Sequence, residues 1–264
     1  MASTITRMLL PAPNGPLSAL EARVGAAAQP APTAVLVPGI AGAKEDFLPL
    51  MEILADAGYR TFAIDQRGQH ETPGVGDMAA YTIAALARDL DVAFTAAAAR
   101  RPVHLVGHGF GALVAAHSCV AAPEKTLGKV LSLALICAGP EPEPATLRND
   151  QLRGSDPRAL LGMFDEAARS LMPVPYAELR QCGVPVFVCT GEAAGRPAVA
   201  QCEERAEELD VKVELVAGAG SSPQLDRPEA LATLLTEFWS GLEPAPVPTI
   251  PNQAESADAD GVVV

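Results

Sequence analysis

Short apolar runs alternate with longer amphipathic stretches along most of this chain. Residues 5–10 and 17–24 read as two strands joined at Pro13-Asn14-Gly15-Pro16, a turn-forming run. Thr33-Ala34-Val35-Leu36-Val37 is continuously apolar after its first residue, the pattern of a strand covered on both faces. Phe47, Leu50, Met51 and Leu54 recur at helical spacing, which predicts a helix over 44–57 with one buried face, ended by Gly58. A strand is predicted at 59–64, a long helix at 80–100, a strand at 103–107 and a small-residue-rich helix at 110–122. Strands follow at 129–137 and 184–190, then a closing helix, strand and helix at 197–209, 211–216 and 225–241. Between them, 140–180 is a Pro-rich, charged insertion with one helix near 157–171. Strands alternating with helices predict an α/β fold, a mostly parallel central sheet with helices on both faces. The domain is expected over 1–242 with 140–180 as a short lid, and 243–264, dominated by Pro, Ala and Asp, as a disordered tail.

Composition narrows the function classes. With 264 residues, 49% of them hydrophobic, the chain can build one sizeable core. A net charge of −13 argues against nucleic acid or an anionic membrane as partner, since both need clustered Lys and Arg. No run of eighteen apolar residues suggests a membrane span, and the N-terminus lacks the pattern of a signal peptide. Five cysteines, an odd number without metal-type pairing, point to reduced thiols and a cytoplasmic setting. No Cys/His/Asp/Glu run has ligand spacing, so no metal and no other cofactor is expected. A homo-oligomer stays open.

The candidate chemistry sits at His104-Leu105-Val106-Gly107-His108-Gly109-Phe110-Gly111, a strand, a sharp turn and a helix start. This has the form of the nucleophile elbow G-x-S-x-G, with Gly109 in the serine's place. Other landmarks stand in order around it: Val37-Pro38-Gly39-Ile40, Asp65-Gln66-Arg67-Gly68, Thr190-Gly191-Glu192-Ala193-Ala194, and Gly218-Ala219-Gly220-Ser221-Ser222-Pro223. Together they make residues 5–241 resemble the α/β-hydrolase superfamily. The resemblance implies the α/β-hydrolase fold, with an oxyanion donor at the amide of Ile40. It also places the family's serine, acid and histidine at Gly109, Ala194 and Ser221, and the histidine of its His-Gly motif at Pro38.

Because triad members act as a unit, the expectation is a pseudo-hydrolase without hydrolytic activity. Its ligand would be a small, mostly apolar molecule bearing a carbonyl or carboxylate, with the protein accessory to a biosynthetic pathway. The binding set would be Ile40, His108, Gly109, Phe110 and Ser221, with the amides of Ile40 and Phe110 and the helix N-terminus as donors. The alternatives are a lyase, cyclase or isomerase on the same scaffold using His108, and a hydrolase with a displaced site. Elsewhere, Asp65 and Arg67 are expected to brace their turn as a pair, and Cys137 to be an inert core thiol. His70 and Glu192 are expected at the surface, His104 inside its strand, and His117 two turns beyond the elbow. Leu160, Leu161, Met163 and Phe164 either roof the crevice or cover the core.

Overall fold

The computed structural model describes residues 4–23, 31–98, 101–121, 128–138, 154–169 and 176–242. Eight strands form one sheet: β1 (Thr4–Leu10), β2 (Leu17–Arg23), β3 (Thr33–Val37), β4 (Arg60–Ile64), β5 (Val103–His108), β6 (Val130–Ile136), β7 (Val186–Gly191) and β8 (Val213–Val216). Their order across the sheet is β1-β2-β4-β3-β5-β6-β7-β8. β1, β2 and β4 pair antiparallel, and every other neighbour is parallel. The α/β architecture expected from the sequence is the one observed.

Period-two alternation divides the core into two layers. On β3, Val35 and Val37 face one cluster while Ala34 and Leu36 face the other. β6 does the same with Leu133 and Leu135 against Ala134 and Ile136. The first layer is covered by α2 (Ile83–Ala98), α3 (Phe110–Ala121), α4 (Pro157–Arg169), α5 (Tyr176–Gln181) and α6 (Arg196–Leu209). The second is covered by α1 (Leu48–Asp56) and α8 (Pro228–Ser240), with α7 (Pro223–Asp226) just ahead of α8.

Local chemistry breaks three predicted helices. The first begins as a 3-10 turn, Lys44–Phe47, before α1. The second is interrupted at Thr82, whose extended backbone and hydroxyl, accepting from Ala85 N at 3.2 Å, cap α2 after a 3-10 turn at Met78–Tyr81. The last divides into α7 and α8 at Arg227 (φ −146°, ψ 60°), because the residue before Pro228 is disfavoured in helical space. The proposed tail, and residues 140–153 and 170–175 of the proposed lid, lie outside the described residues.

The strand order reverses at β3, whose neighbours are β4 on one side and β5 on the other. The loops leaving β3 and β5 therefore run in opposite senses at the carboxyl ends of the strands, the place where folds of this kind carry their sites.

Candidate functional site

Glycines set the shape of the turn from β5 into α3. A Cβ at Gly107 would overlap the Gly111–Ala112 backbone, and one at Gly111 would overlap the carbonyls of Val37 and Pro38. Gly109 itself has φ +53°, in the left-handed region that glycine enters without strain. Its N–H donates to the Ile136 carbonyl at 3.0 Å, which anchors the turn to β6. Phe110 opens α3, so its amide is among those without an intrahelical acceptor. The Phe110 and Ile40 side chains are buried in the first core layer. Only the backbone of either can address a ligand.

His108 is the titratable group at this turn. Its Nε2 lies 2.7 Å from the Ser221 carbonyl oxygen. A carbonyl can only accept, so Nε2 carries the hydrogen and Nδ1 the lone pair. Burial pushes the His108 pKa below the ordinary imidazole value, against the opposing pull of the Ser221 carbonyl and Asp46. The ring is consequently neutral at pH 7. Of the residues expected at the site, His108, Gly109 and Phe110 are consecutive, and the structure brings Ser221 to them through its main chain. Ala194 closes the turn after β7, its N–H donating to Gly191 O at 3.1 Å. Exposed Glu192 in that turn accepts from Gly218 N at 3.2 Å, tying it to the loop after β8.

The loop after β3 is held by two glutamines. Gln66 Nε2 donates to Pro38 O at 2.8 Å, and Gln69 Nε2 donates to Gly39 O at 3.2 Å. Gln69 Oε1 accepts from Ala41 N, at a residue with φ +59°. Three polar groups of the segment Pro38–Ala41 are thus fixed by side chains from the turn after β4. Sequence reasoning did not find this bracing. The only available signal was two amide side chains, Gln66 and Gln69, in a turn whose neighbours are charged.

The same turn corrects one expectation. Asp65 and Arg67 do not pair with each other. Asp65 pairs with Lys44, whose Nζ is 2.6 Å from Asp65 Oδ2, 2.9 Å from Glu71 Oε2 and 3.1 Å from Glu45 Oε1. Arg67 pairs with Asp89 and donates to Ala80 O at 2.7 Å. Successive side chains of the turn leave in different directions, so proximity in sequence did not make a pair. Lys44 is fully buried. Burial alone would lower its pKa, but the three carboxylates win and hold it above the ordinary lysine value. Glu45, Asp65 and His70 bring one ligand-type atom each to within 4.8 Å of one another. Lys44 Nζ, 3.5 Å from His70 Nδ1, already supplies positive charge at that point.

The remaining candidates fall as follows. His70 is partly exposed, with φ +48°, beside Gly154. His104 is buried, Nδ1 2.8 Å from Ser132 Oγ, and its ring stacks on Trp239 at 4.6 Å. His117 lies on α3 with its pKa lowered by burial. Cys137 is buried at the end of β6 with φ +47°. Ala159, Leu160 and Met163 of α4 join the core beside Tyr81, while Leu161 is exposed. These α4 residues cover the core. No helix among the described residues is long and apolar enough to cross a membrane.

A sequence model described as the alpha/beta hydrolase family matches residues 34–234. The chain is 36% identical over 114 residues to "Putative carbamate hydrolase RutD" of Variovorax paradoxus (strain S110). That match spans 43% of this chain and 41% of the relative, so the chain covers less than half the length of the curated relative. Among solved structures it resembles epoxide hydrolase VrEH1 from Vigna radiata, with TM-score 0.70 and 14% identity over 90% of this chain and 98% of that one. It also resembles epoxide hydrolase A from Mycobacterium thermoresistibile, with TM-score 0.67 and 19% identity over 91% and 99% of the two chains. Both structural likenesses concern the fold, which is the α/β-hydrolase fold. The expectation of a pseudo-hydrolase without hydrolytic activity is overturned here. The finding against it is that the curated relative, 36% identical over 114 residues, is named as a hydrolase.

Proposed function

The chain belongs to the alpha/beta hydrolase family, and from that premise we propose that it hydrolyses a small carbonyl compound of carbamate or ester type by direct attack of water. The observation that carries this reading is the 2.7 Å hydrogen bond from His108 Nε2 to the Ser221 carbonyl. It fixes the tautomer of a neutral imidazole beside the start of α3 and leaves Nδ1 as a base. The reading includes replacement of the family's triad at Gly109, Ala194 and Ser221. Gly109 has no side chain, so no acyl group can be carried there. Nδ1 takes a proton from water as its oxygen bonds to the substrate carbonyl carbon, and the carbonyl π pair moves onto oxygen. The developing oxyanion accepts from the amides of Phe110 and Ile40, next to the positive end of α3. Collapse re-forms the carbonyl and breaks the bond to the leaving group, which takes the proton from the imidazolium.

The carbamate class comes from the named activity of the relative that is 36% identical. A cytoplasmic setting is part of the same proposal, supported by five buried free thiols. The test is an assay of the full chain with aryl esters and aryl carbamates, alongside His108→Ala. Turnover is expected in the natural protein, falling as pH drops through the lowered pKa of His108. His108→Ala should lose about 10²–10⁴-fold in kcat. An organophosphonate should leave the intact mass unchanged. Absence of turnover, full activity in His108→Ala, or a phosphonyl adduct would each overturn the reading.

A further inference from the structure

One side-chain amide holds both peptide units that meet at Ile40. Gln69 Nε2 donates to the Gly39 carbonyl at 3.2 Å, and Gln69 Oε1 accepts from Ala41 N. The Gly39 carbonyl and the Ile40 N–H belong to one planar trans unit, and the Ile40 carbonyl and the Ala41 N–H to the next. With both planes held, the direction of the Ile40 N–H is held too. The Gln69 amide cannot be turned over, because that would set donor against donor and acceptor against acceptor. Gln69 is itself anchored: it is fully buried, its N–H donates to Gln66 O at 2.9 Å, and its carbonyl accepts from Thr72 N at 3.0 Å.

The turn at this point does not hold itself. Gly42 N donates to Gly39 O at 3.2 Å, and of these four residues Ala41 alone has positive φ, +59°. That is a type II turn, whose second corner normally takes glycine. Alanine brings a Cβ into the left-handed region, a conformation that persists only where the surroundings impose it. Here they do so through Gln69 Oε1 on the Ala41 N–H, with Gln66 Nε2 on Pro38 O at 2.8 Å one unit upstream. Without Gln69, Ala41 can return to negative φ by turning the Ile40–Ala41 unit over, and Gly39 O keeps one donor of two.

We infer that Gln69 is a positioning residue, which aims the Ile40 N–H as an oxyanion donor by clamping the peptide units on either side of it. The catalytic part of this inference rests on the hydrolytic reading, and the clamp itself does not. Glutamine suits the clamp because it carries a donor and an acceptor at one end. A carboxylate would set an oxygen against the Gly39 carbonyl, and a thioether would serve neither group.

The test takes the full chain, natural and Gln69→Met, through two measurements. Solution NMR of the natural protein should show a scalar coupling across the hydrogen bond, from the Ala41 amide nitrogen to the Gln69 side-chain carbonyl carbon. The amide dipolar couplings of Ile40 and Ala41, which read the direction of each N–H, should shift in Gln69→Met. That of Gly109, anchored on the Ile136 carbonyl, should stay. With aryl esters and aryl carbamates, kcat should fall by about 10–100-fold while KM stays nearly unchanged. The acid limb of the pH profile, set by His108, should keep its place. Absence of the scalar coupling or an unmoved Ile40 N–H overturns the inference. So does a reoriented Gln69→Met that keeps the natural kcat, or one whose loss falls on KM. If the natural chain hydrolyses neither substrate class, the hydrolytic reading fails by itself and the NMR measurements decide the clamp. Gln69→Glu, of the same shape but without the donor, takes the place of Gln69→Met where the latter does not fold.

Discussion

At Lys44 a single side chain neutralises charge from three directions. It is the one fully buried lysine among the described residues, and Asp65 beside it is equally inaccessible. Replacing Lys44 by Met keeps the aliphatic bulk but takes the ammonium from Asp65, a buried carboxylate left with the amides of residue 44 and Glu71 and the His70 ring at 3.5 Å. Breaking a buried pair from one side costs about 3–5 kcal/mol. Lys44→Met should therefore lower the urea-unfolding free energy by that order. A loss below about 1 kcal/mol would mean that Asp65 is neutralised without Lys44, by taking up a proton or by pairing with His70. Gly109 makes a different demand at the same scale. Its φ of +53° disfavours any Cβ, so Gly109→Ala should cost on the order of 1–3 kcal/mol by the same measurement. A neutral result would mean that the turn can relax into another conformation.

Among the elements, α4 is seated through glycines that face it. A Cβ at Gly68 would overlap the Ala159 methyl and the Tyr81 ring, and Gly68 already has φ +76°. On α4 itself, a Cβ at Gly162 would sit 3.0 Å from Tyr81 Cβ. Gly68→Ala should accordingly push α4 off the Met78–Tyr81 turn. Amide hydrogen exchange should show protection across Pro157–Arg169 falling by at least tenfold, while β5 and β6 keep theirs. Equal loss everywhere would show that α4 unfolds only with the whole domain. This seating also explains what could be read in advance. The strands of the parallel core were legible because runs such as Val35-Leu36-Val37 and Leu133-Ala134-Leu135-Ile136 have no other stable use. The interruptions at Thr82 and Arg227 were not, because capping and a following proline act on one residue inside a continuous apolar period. At the site, the turn around Gly109 was legible from glycine spacing alone. The bond from His108 to the Ser221 carbonyl was not, since it joins residues 113 positions apart through a main-chain atom.

Over the whole molecule, histidine burial gives stability a dependence on pH. His104, His108 and His117 all have pKa values below the ordinary imidazole value, with burial as the first cause, and for His104 the value falls to about 4. An unfolded chain protonates these rings near pH 6.5, so between that pH and the folded value the unfolded state binds more protons. Stability is then complete above about pH 6.5 and is lost as pH falls toward 4. For His104 the slope is about 1.4 kcal/mol per pH unit, hence about 2 kcal/mol between pH 6.5 and 5. The −13 net charge works in the opposite sense, because protonating carboxylates relieves repulsion. That relief begins mainly below about pH 5 for ordinary carboxylates, while burial raises the pKa of Asp65 and Asp89, so the share of His104 is read as a difference against a variant. A double variant, His104→Phe with Ser132→Ala, keeps a ring against Trp239 and removes both partners of the 2.8 Å hydrogen bond. It also removes the unsatisfied Nε2 of His104. Its stability at pH 7.5 should lie within about 1.5 kcal/mol of the natural protein, since both polar partners leave together. Urea titrations at pH 7.5, 6.5, 5.75 and 5 should show the natural protein losing stability about 2 kcal/mol faster over the acidic interval. Parallel curves for the two proteins would mean that His104 already meets its proton at the ordinary pKa, and that the apolar stack around Trp239 admits solvent.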